Sequence, residues 1–365
     1  MFNFDLDFDI DKTKVIELEK LLGNIDIIKK NNEIQHKIME FVTLYAVHFC
    51  VETNELENIY IKDNHDTQQV LEDYLNTHKI DFEDKTKTEI INSYQALKLS
   101  HKHFEDKYSE SSSILSIMLT PNEIQEFHEK LMKGIIINGG QFRKSQAFTY
   151  WKKEMYIYYD HSLIEINMFN LCDLYNDIII KLSNLENKLE LITKLYKLAS
   201  KMMFYFLNIH PFGDGNGRCG RIILNHILSY IFPFPINILG SKLRNRDEYI
   251  DDIIVCRNHK YNHPINMVNG LIENSVDMLN IFFKLLNINI NDMQWTTCVG
   301  TIYGNEKTLT KNNIIHRYSI LNHKIRYDFD KINKDDEINI LFDEILKKNN
   351  KILLSKFAYV IFIYL

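Results

Sequence analysis

Residues 191–230 read LITKLYKLASKMMFYFLNIHPFGDGNGRCGRIILNHILSY. Leu191, Leu195, Leu198, Met202 and Phe206 recur at spacings of four, three, four and four, which is the buried face of a core helix. Ile222 to Tyr230 makes a second apolar helix, stopped by Pro233 and Pro235. Between them stands HPFGDGNGRCGR (210–221), which holds four of the chain's 12 glycines. Two core helices joined by a glycine-dense turn predict a mainly α protein whose chemistry sits at that turn.

Composition agrees. The chain has 365 residues, 45% hydrophobic and 25% charged, the mix of an ordinary globular protein. It has 12 glycines and 5 prolines, where average usage gives about 25 and about 18. That scarcity disfavours an all-β chain built on tight turns. The net charge is −6 and basic residues are scattered among acids, so no nucleic-acid partner is expected. Five widely spaced cysteines, with no CxxC pair, read as free thiols of a reducing compartment. The acidic start MFNFDLDFDIDK lacks a secretory pattern. The closing FAYVIFIYL is too short to span a bilayer and reads as a buried strand or helix. A cytoplasmic protein without membrane partners is expected.

Outward from the glycine turn, helical spacing dominates. Ile34 to Ile61, Val70 to Leu75, Ile90 to Leu99, Leu163 to Leu182, Tyr249 to Cys256 and Ile265 to Leu286 all read as helices. Thr120-Pro121-Asn122-Glu123 is a helix start, with Thr as N-cap, Pro at N1 and Glu at N3. Ser100 to Ser113 is polar and reads as a linker. Ser145 to Tyr159, rich in aromatics and split by Lys152-Lys153-Glu154, reads as a β-hairpin. Residues 287–365 form a separate, less legible region.

The turn itself admits three readings. A dinucleotide loop should follow a strand, and here a helix precedes. A calcium loop from Asp214 would need Gly at Cys219 and Glu at Asn225. The third reading is an anion-binding loop that opens a helix. Gly215 and Gly217 let successive N–H groups converge, and the helix N-terminus adds its positive end. Arg218 and Arg221 lie three apart on the first turn, which suits a polyphosphate. Asp214 offers one hard carboxylate for Mg²⁺ held jointly with phosphate. His210, on the rim, is the group there that can take a proton near neutral pH. Phe212 reads as an apolar anchor and Cys219 as packing rather than a nucleophile.

At these residues the chain resembles the Fic family, matching HPFx(D/E)GNGRxxR at each specified position. Leu119-Thr120 to Leu131, Gly140-Gln141-Phe142-Arg143 with Gln146, and Asn92 with Ala96-Leu97 extend the likeness over about 35–285. The resemblance implies a helical core with one hairpin flap, flanked by a helical region (1–100), a core (101–285) and a C-terminal region (286–365) of no legible role. It implies transfer of AMP from ATP to a Ser, Thr or Tyr hydroxyl, with ATP and Mg²⁺ as cofactors. His210 would be the general base and Asp214 the Mg²⁺ ligand. Gly215, Asn216 and Gly217 would form an anion hole, with the Asn216 side chain on the α-phosphate. Arg218 would hold the β-phosphate and Arg221 the γ-phosphate, and Cys219 and Gly220 lie within the same cradle. Ala147, Phe148, Thr149 and Tyr150 of the flap would pin a target segment and border the nucleotide, and Tyr249 would lie at the adenine. Family members often self-associate, so a homodimer is among the expected partners.

Thr53 to Asn58 (TNELEN) resembles the family's inhibitory motif (S/T)xxxE(G/N), placed N-terminal to the core. By that likeness Glu57 would pair with Arg221 and keep it from the γ-phosphate. Removal of AMP by the same site, transfer of UMP, phosphate or phosphocholine, and nucleotide binding without turnover stay open as alternatives.

Overall fold

The computed structural model describes residues 2–28, 32–61, 64–239, 246–258 and 264–287. Among these residues there are ten α-helices and one antiparallel two-stranded hairpin. The mainly α expectation holds. Helix α7 (Lys188–Ile209) runs through the centre, with every residue from Leu195 to Ile209 buried. Around it pack α6 (Ile164–Leu182), α8 (Asn216–Leu228), α1 (Lys12–Ile28) and α10 (Ile265–Asn287). A helix enclosed on all sides is apolar on all sides, which is why Met203, Phe204 and Leu207 stand beside the legible stripe.

Two buried lysines interrupt α7, and an extended strap satisfies them. Along residues 2–10, Phe2, Phe4, Leu6, Phe8 and Ile10 turn inward while Asn3, Asp5, Asp7 and Asp9 stay exposed. Lys197 donates to the carbonyls of Leu6 and Phe8, and Lys201 to that of Asn3. The Tyr205 hydroxyl bonds both the N–H and the carbonyl of Asn3. Sequence reading assigned neither this strap nor α1.

A second group brings the N-terminal region to the glycine turn. Helices α2 (Asn32–Glu55) and α4 (Lys85–Ser111) both pack on α8, with α3 (Asn64–Thr77) and α5 (Pro121–Leu131) beside α4. The linker expected over Ser100 to Ser113 is instead the last part of α4, which runs unbroken past residue 100. Its polar residues are the solvated face of a helix that buries Ser100 and Phe104, and nothing in it breaks helix. Thr120 and Glu123 form the expected capping box of α5.

Strands β1 (Phe148–Trp151) and β2 (Glu154–Ile157) pair as expected, Phe148 opposite Ile157 and Trp151 opposite Glu154. Lys152 and Lys153 form the turn, both at positive φ. Helix α9 (Arg246–Asn258) holds the tip: Asp251 accepts from the Trp151 indole (2.8 Å) and the Lys152 ammonium (2.6 Å). The described cysteines, Cys50, Cys172, Cys219 and Cys256, are buried free thiols. No described helix is long and apolar enough to cross a membrane. The expectations for 288–365, including Cys298 and FAYVIFIYL, lie outside the described residues.

Candidate active site

The site is assembled where α7 ends and α8 begins. His210 is the C-cap of α7, in the left-handed region at φ 52° and ψ 60°. Its N–H donates to Phe206 O (2.9 Å). Burial is the main cause that brings its imidazole down to about 4. Arg143 and Arg257 push the same way, while the Leu207 carbonyl and Glu57 oppose. A carbonyl only accepts, so the ring nitrogen on the Leu207 side carries the proton and the other presents its lone pair. The ring is therefore neutral at pH 7, with one nitrogen open to accept a proton.

The loop after it is held from within and from outside. Asn216 Nδ2 donates to Phe212 O (2.8 Å) and Asn216 Oδ1 accepts from Phe212 N–H (3.0 Å). The side chain expected on the α-phosphate is thus engaged in folding the loop. Asp214 is exposed, and its Oδ1 accepts from Gly215 N–H (2.6 Å). Gly215 caps α8 at φ 74°, and a Cβ there would fall 2.7 Å from Met132 Sδ. Gly220 lets α8 close on α7, with Leu207 and Phe206 3.3 Å from where its Cβ would be. Cys219 is buried, and burial pushes its thiol up, which fits packing.

His128 of α5 staples this loop to the segment before the flap, a role sequence reading missed. Its ring lies flat on Phe212, centroids 3.6 Å apart and planes 5° from parallel. Gly140 N–H donates to Nδ1 (2.9 Å), so the proton sits on Nε2, which donates to Asp214 O (2.8 Å). Burial brings this imidazole to about 4 as well. Arg143 was legible only as part of the flap's lead-in. Its guanidinium binds the carbonyls of His210 (2.7 Å), Ser145 (2.6 Å) and Tyr159 (2.5 Å). It thereby ties the flap's two roots to the His210 backbone.

Each arginine of the loop meets a carboxylate. Arg221, 1% exposed, donates from Nη2 to Glu57 Oε1 (2.6 Å) and Thr53 O (2.9 Å), and from Nε to the Thr53 hydroxyl (2.6 Å). Burial alone would lower the Arg221 pKa, and the Glu57 carboxylate and Tyr249 hydroxyl reverse this and raise it. Glu57 also covers the α8 N-terminus: a Cβ at Gly217 would run into its Oε1. Arg218, equally buried, lies 3.3 Å from Glu89 Oε2 of α4 and 3.7 Å from Met132 Sδ, and its Nε has no partner. Glu89 was not singled out in the sequence, since nothing local distinguishes it from a solvated helix carboxylate.

The remaining expected residues are placed less centrally. Phe148 and Tyr150 of the flap are exposed, as is Thr149, while Ala147 O accepts from Tyr158 N–H (3.1 Å). Tyr249 of α9 is buried against Arg221, and burial raises its hydroxyl pKa against that guanidinium. Among the described residues no group of three or more His, Cys, Asp or Glu forms a metal cage.

The Fic/DOC family pattern matches residues 118–228, which contain the loop, His128 and the flap. A Fido domain-containing protein of Dictyostelium discoideum is 36% identical over 123 residues, 33% of this chain and 74% of that protein. The chain belongs to the Fic/DOC family. Solved Fic structures share the fold. A Fic domain containing signaling protein from Bacteroides thetaiotaomicron superposes with TM-score 0.58 at 18% identity, covering 74% of this chain and 97% of that one. Fic-1 from C. elegans gives 0.55 at 16% identity, covering 76% and 72%. Fic family members commonly transfer nucleotide or phosphate-containing groups to proteins, and are typically enzymes.

Proposed function

We propose that this Fic protein transfers AMP from ATP to a hydroxyl of a target protein, and that Glu57 holds the site off. The observation that carries this reading is the contact of Glu57 with Arg221 at the α8 N-terminus, where a polyphosphate would otherwise lie. Helix N-terminal N–H groups favour an anion. Arg218 Nε, buried and unpartnered, is a donor without an acceptor. Both fit a bound polyphosphate once the carboxylate moves away.

Asp214 would hold Mg²⁺ through its oxygen turned from Gly215, the other ligands being phosphate oxygens and water. When bound, the ion neutralises charge on the leaving pyrophosphate. His210 accepts the hydroxyl proton as the O–Pα bond forms and the Pα–O bond to pyrophosphate breaks. The Gly215–Gly217 backbone and Arg218 stabilise the charge that develops on the phosphates. Arg221 orients the terminal phosphate when Glu57 releases it. The hairpin, whose outer strand edges are unpaired among the described residues, would seat an extended target segment by strand addition.

The test is automodification with Mg²⁺ and ATP labelled at the α-phosphate. Label is expected on Glu57→Ala, at least 10-fold above wild type, and absent from Glu57→Ala/His210→Ala. Equal label on wild type and Glu57→Ala would refute the brake. No label on any form would refute AMP transfer.

A further inference from the structure

Tyr158 stands outside the 210–221 signature, yet its ring lies flat on that of His210. The centroids are 3.8 Å apart and the planes 13° from parallel. That spacing leaves no room for water between the rings. Tyr158 is itself held at three points. Its N–H donates to Ala147 O (3.1 Å), its carbonyl accepts from Gln146 Nε2 (2.8 Å), and the Arg257 guanidinium lies over its ring, 5.1 Å from the centroid. Arg257 is anchored in turn: Nε donates to Asn208 Oδ1 (2.5 Å), and the guanidinium also covers the Tyr156 ring. A chain of contacts thus runs from α9 through the flap's root to the imidazole.

His210 needs such support. It stands past the last turn of α7, where the Leu207 carbonyl takes one ring N–H. Its backbone is fixed by Phe206 and Arg143, and the single ring N–H bond to Leu207 still lets the ring plane tilt about that bond. The same Arg143 binds the carbonyl of Tyr159, the residue after Tyr158, so one guanidinium holds backbone on both sides of the stack. The stack is what remains to set the ring's plane.

We propose that Tyr158, backed by Arg257, is a positioning residue that fixes the His210 ring plane and shields it from water for proton abstraction. This rests on His210 being the base of the transfer described above. Tyr158 acts through His210 and touches no reacting atom. The charged and titratable groups facing His210 are Arg143 and Arg257, which disfavour its protonation, and Glu57, which favours it. Opening the stack admits water and should move the imidazole toward its ordinary range. The ring stack does not use the hydroxyl, which faces Arg257 and Thr149, so phenylalanine should serve.

The experiment uses the full chain carrying Glu57→Ala, with Tyr158→Ala, Tyr158→Phe or Arg257→Lys added. Histidine-labelled protein is titrated by NMR from pH 8 to 5, with His210→Ala identifying the resonance. Automodification gives kcat and KM for ATP. Tyr158→Ala should raise the His210 pKa by at least one unit and lower kcat at least 10-fold, with KM changed less than 3-fold. Tyr158→Phe should restore both. Identical His210 titrations in Tyr158→Ala and Tyr158→Phe would overturn the proposal. Should Tyr158→Ala fail to fold, Arg257→Lys decides, because it keeps the charge and removes the planar guanidinium: an upward move supports the backing role and an unchanged titration refutes it. The titration needs no turnover, so the absence of AMP transfer would sink the functional reading while leaving the positioning claim separately judged.

Discussion

The left-handed turn at Asn58 is what points Glu57 at Arg221. Helix α2 ends in a Schellman motif: Ile59 N–H donates to Asn54 O and Asn58 N–H to Glu55 O, both at 2.9 Å, with Asn58 at φ 58°. Thr53 and Glu57 then lie one turn apart on the same face and grip one guanidinium. Gly and Asn are the residues that enter this region most readily. A β-branched residue there costs about 1–2 kcal/mol. Asn58→Val should therefore lower the thermal midpoint and raise automodification, whereas Asn58→Gly should do neither. Automodification equal in Asn58→Val and wild type would show that the turn does not hold the carboxylate. At this scale, legibility followed contiguity. His210, Asp214, Arg218 and Arg221 fall in one run of twelve residues, so their spacing alone exposed them. His128 meets Asp214 across 86 residues, and Glu89 meets Arg218 across 129. Only packing brings such pairs together, and a lone sequence carries no mark of it.

Among the elements, the flap is the one whose local geometry is least favoured. Lys152 and Lys153 sit at φ 48° and 71°, the two left-handed positions of a type I′ hairpin turn. Glycine is the usual second residue of that turn. Lys153→Gly should stabilise the protein by about 0.5–1 kcal/mol, seen as a higher urea midpoint with an unchanged slope. A lower midpoint would mean that the Lys153 side chain contributes contacts which outweigh the backbone relief. Lys152 is best kept, because it pairs with Asp251. The hairpin was legible because aromatic strand residues bracket a polar break. Helix α4 beyond residue 100 was not, since it buries one large side chain, Phe104, in its last three turns. The strap at 2–10 alternates apolar and acidic residues, but its partners are α7 carbonyl-seeking lysines some 190 residues away, and alternation alone does not reveal them.

Across the described residues, burial lowers the imidazole of His101 and brings four others down much further. His128, His210 and His226 come down to about 4 and His48 to about 3, from an ordinary 6.5. The unfolded chain then binds more protons than the folded one between about pH 4 and 6.5. Stability from these groups is therefore full above pH 6.5 and falls as the pH drops toward 4. His128 and His226, with no exposed surface, contribute up to about 3 kcal/mol each. Urea midpoints should fall steeply between pH 7 and 4.5. His226→Phe removes a ring whose Nε2 is buried without a partner, and should flatten that fall. A midpoint independent of pH would refute the assignment. At this scale the mainly α architecture was legible from glycine scarcity and helical spacing, because a helix writes its buried face into adjacent turns. The order in which those helices surround α7 was not, because ridge-to-groove packing depends on shapes that composition does not record.

The ion pair between Glu57 and Arg221 also has a direction in time. The two residues are 164 positions apart, and the carboxylate comes first. A ribosome adding roughly 5–20 residues per second takes about 10–30 s to cover that distance. By the time the arginine leaves the exit tunnel, the helix that carries its partner has long been outside and able to form. The nascent glycine loop therefore folds onto a carboxylate already waiting for it, and at no stage of synthesis does the chain expose the completed loop without its partner already made.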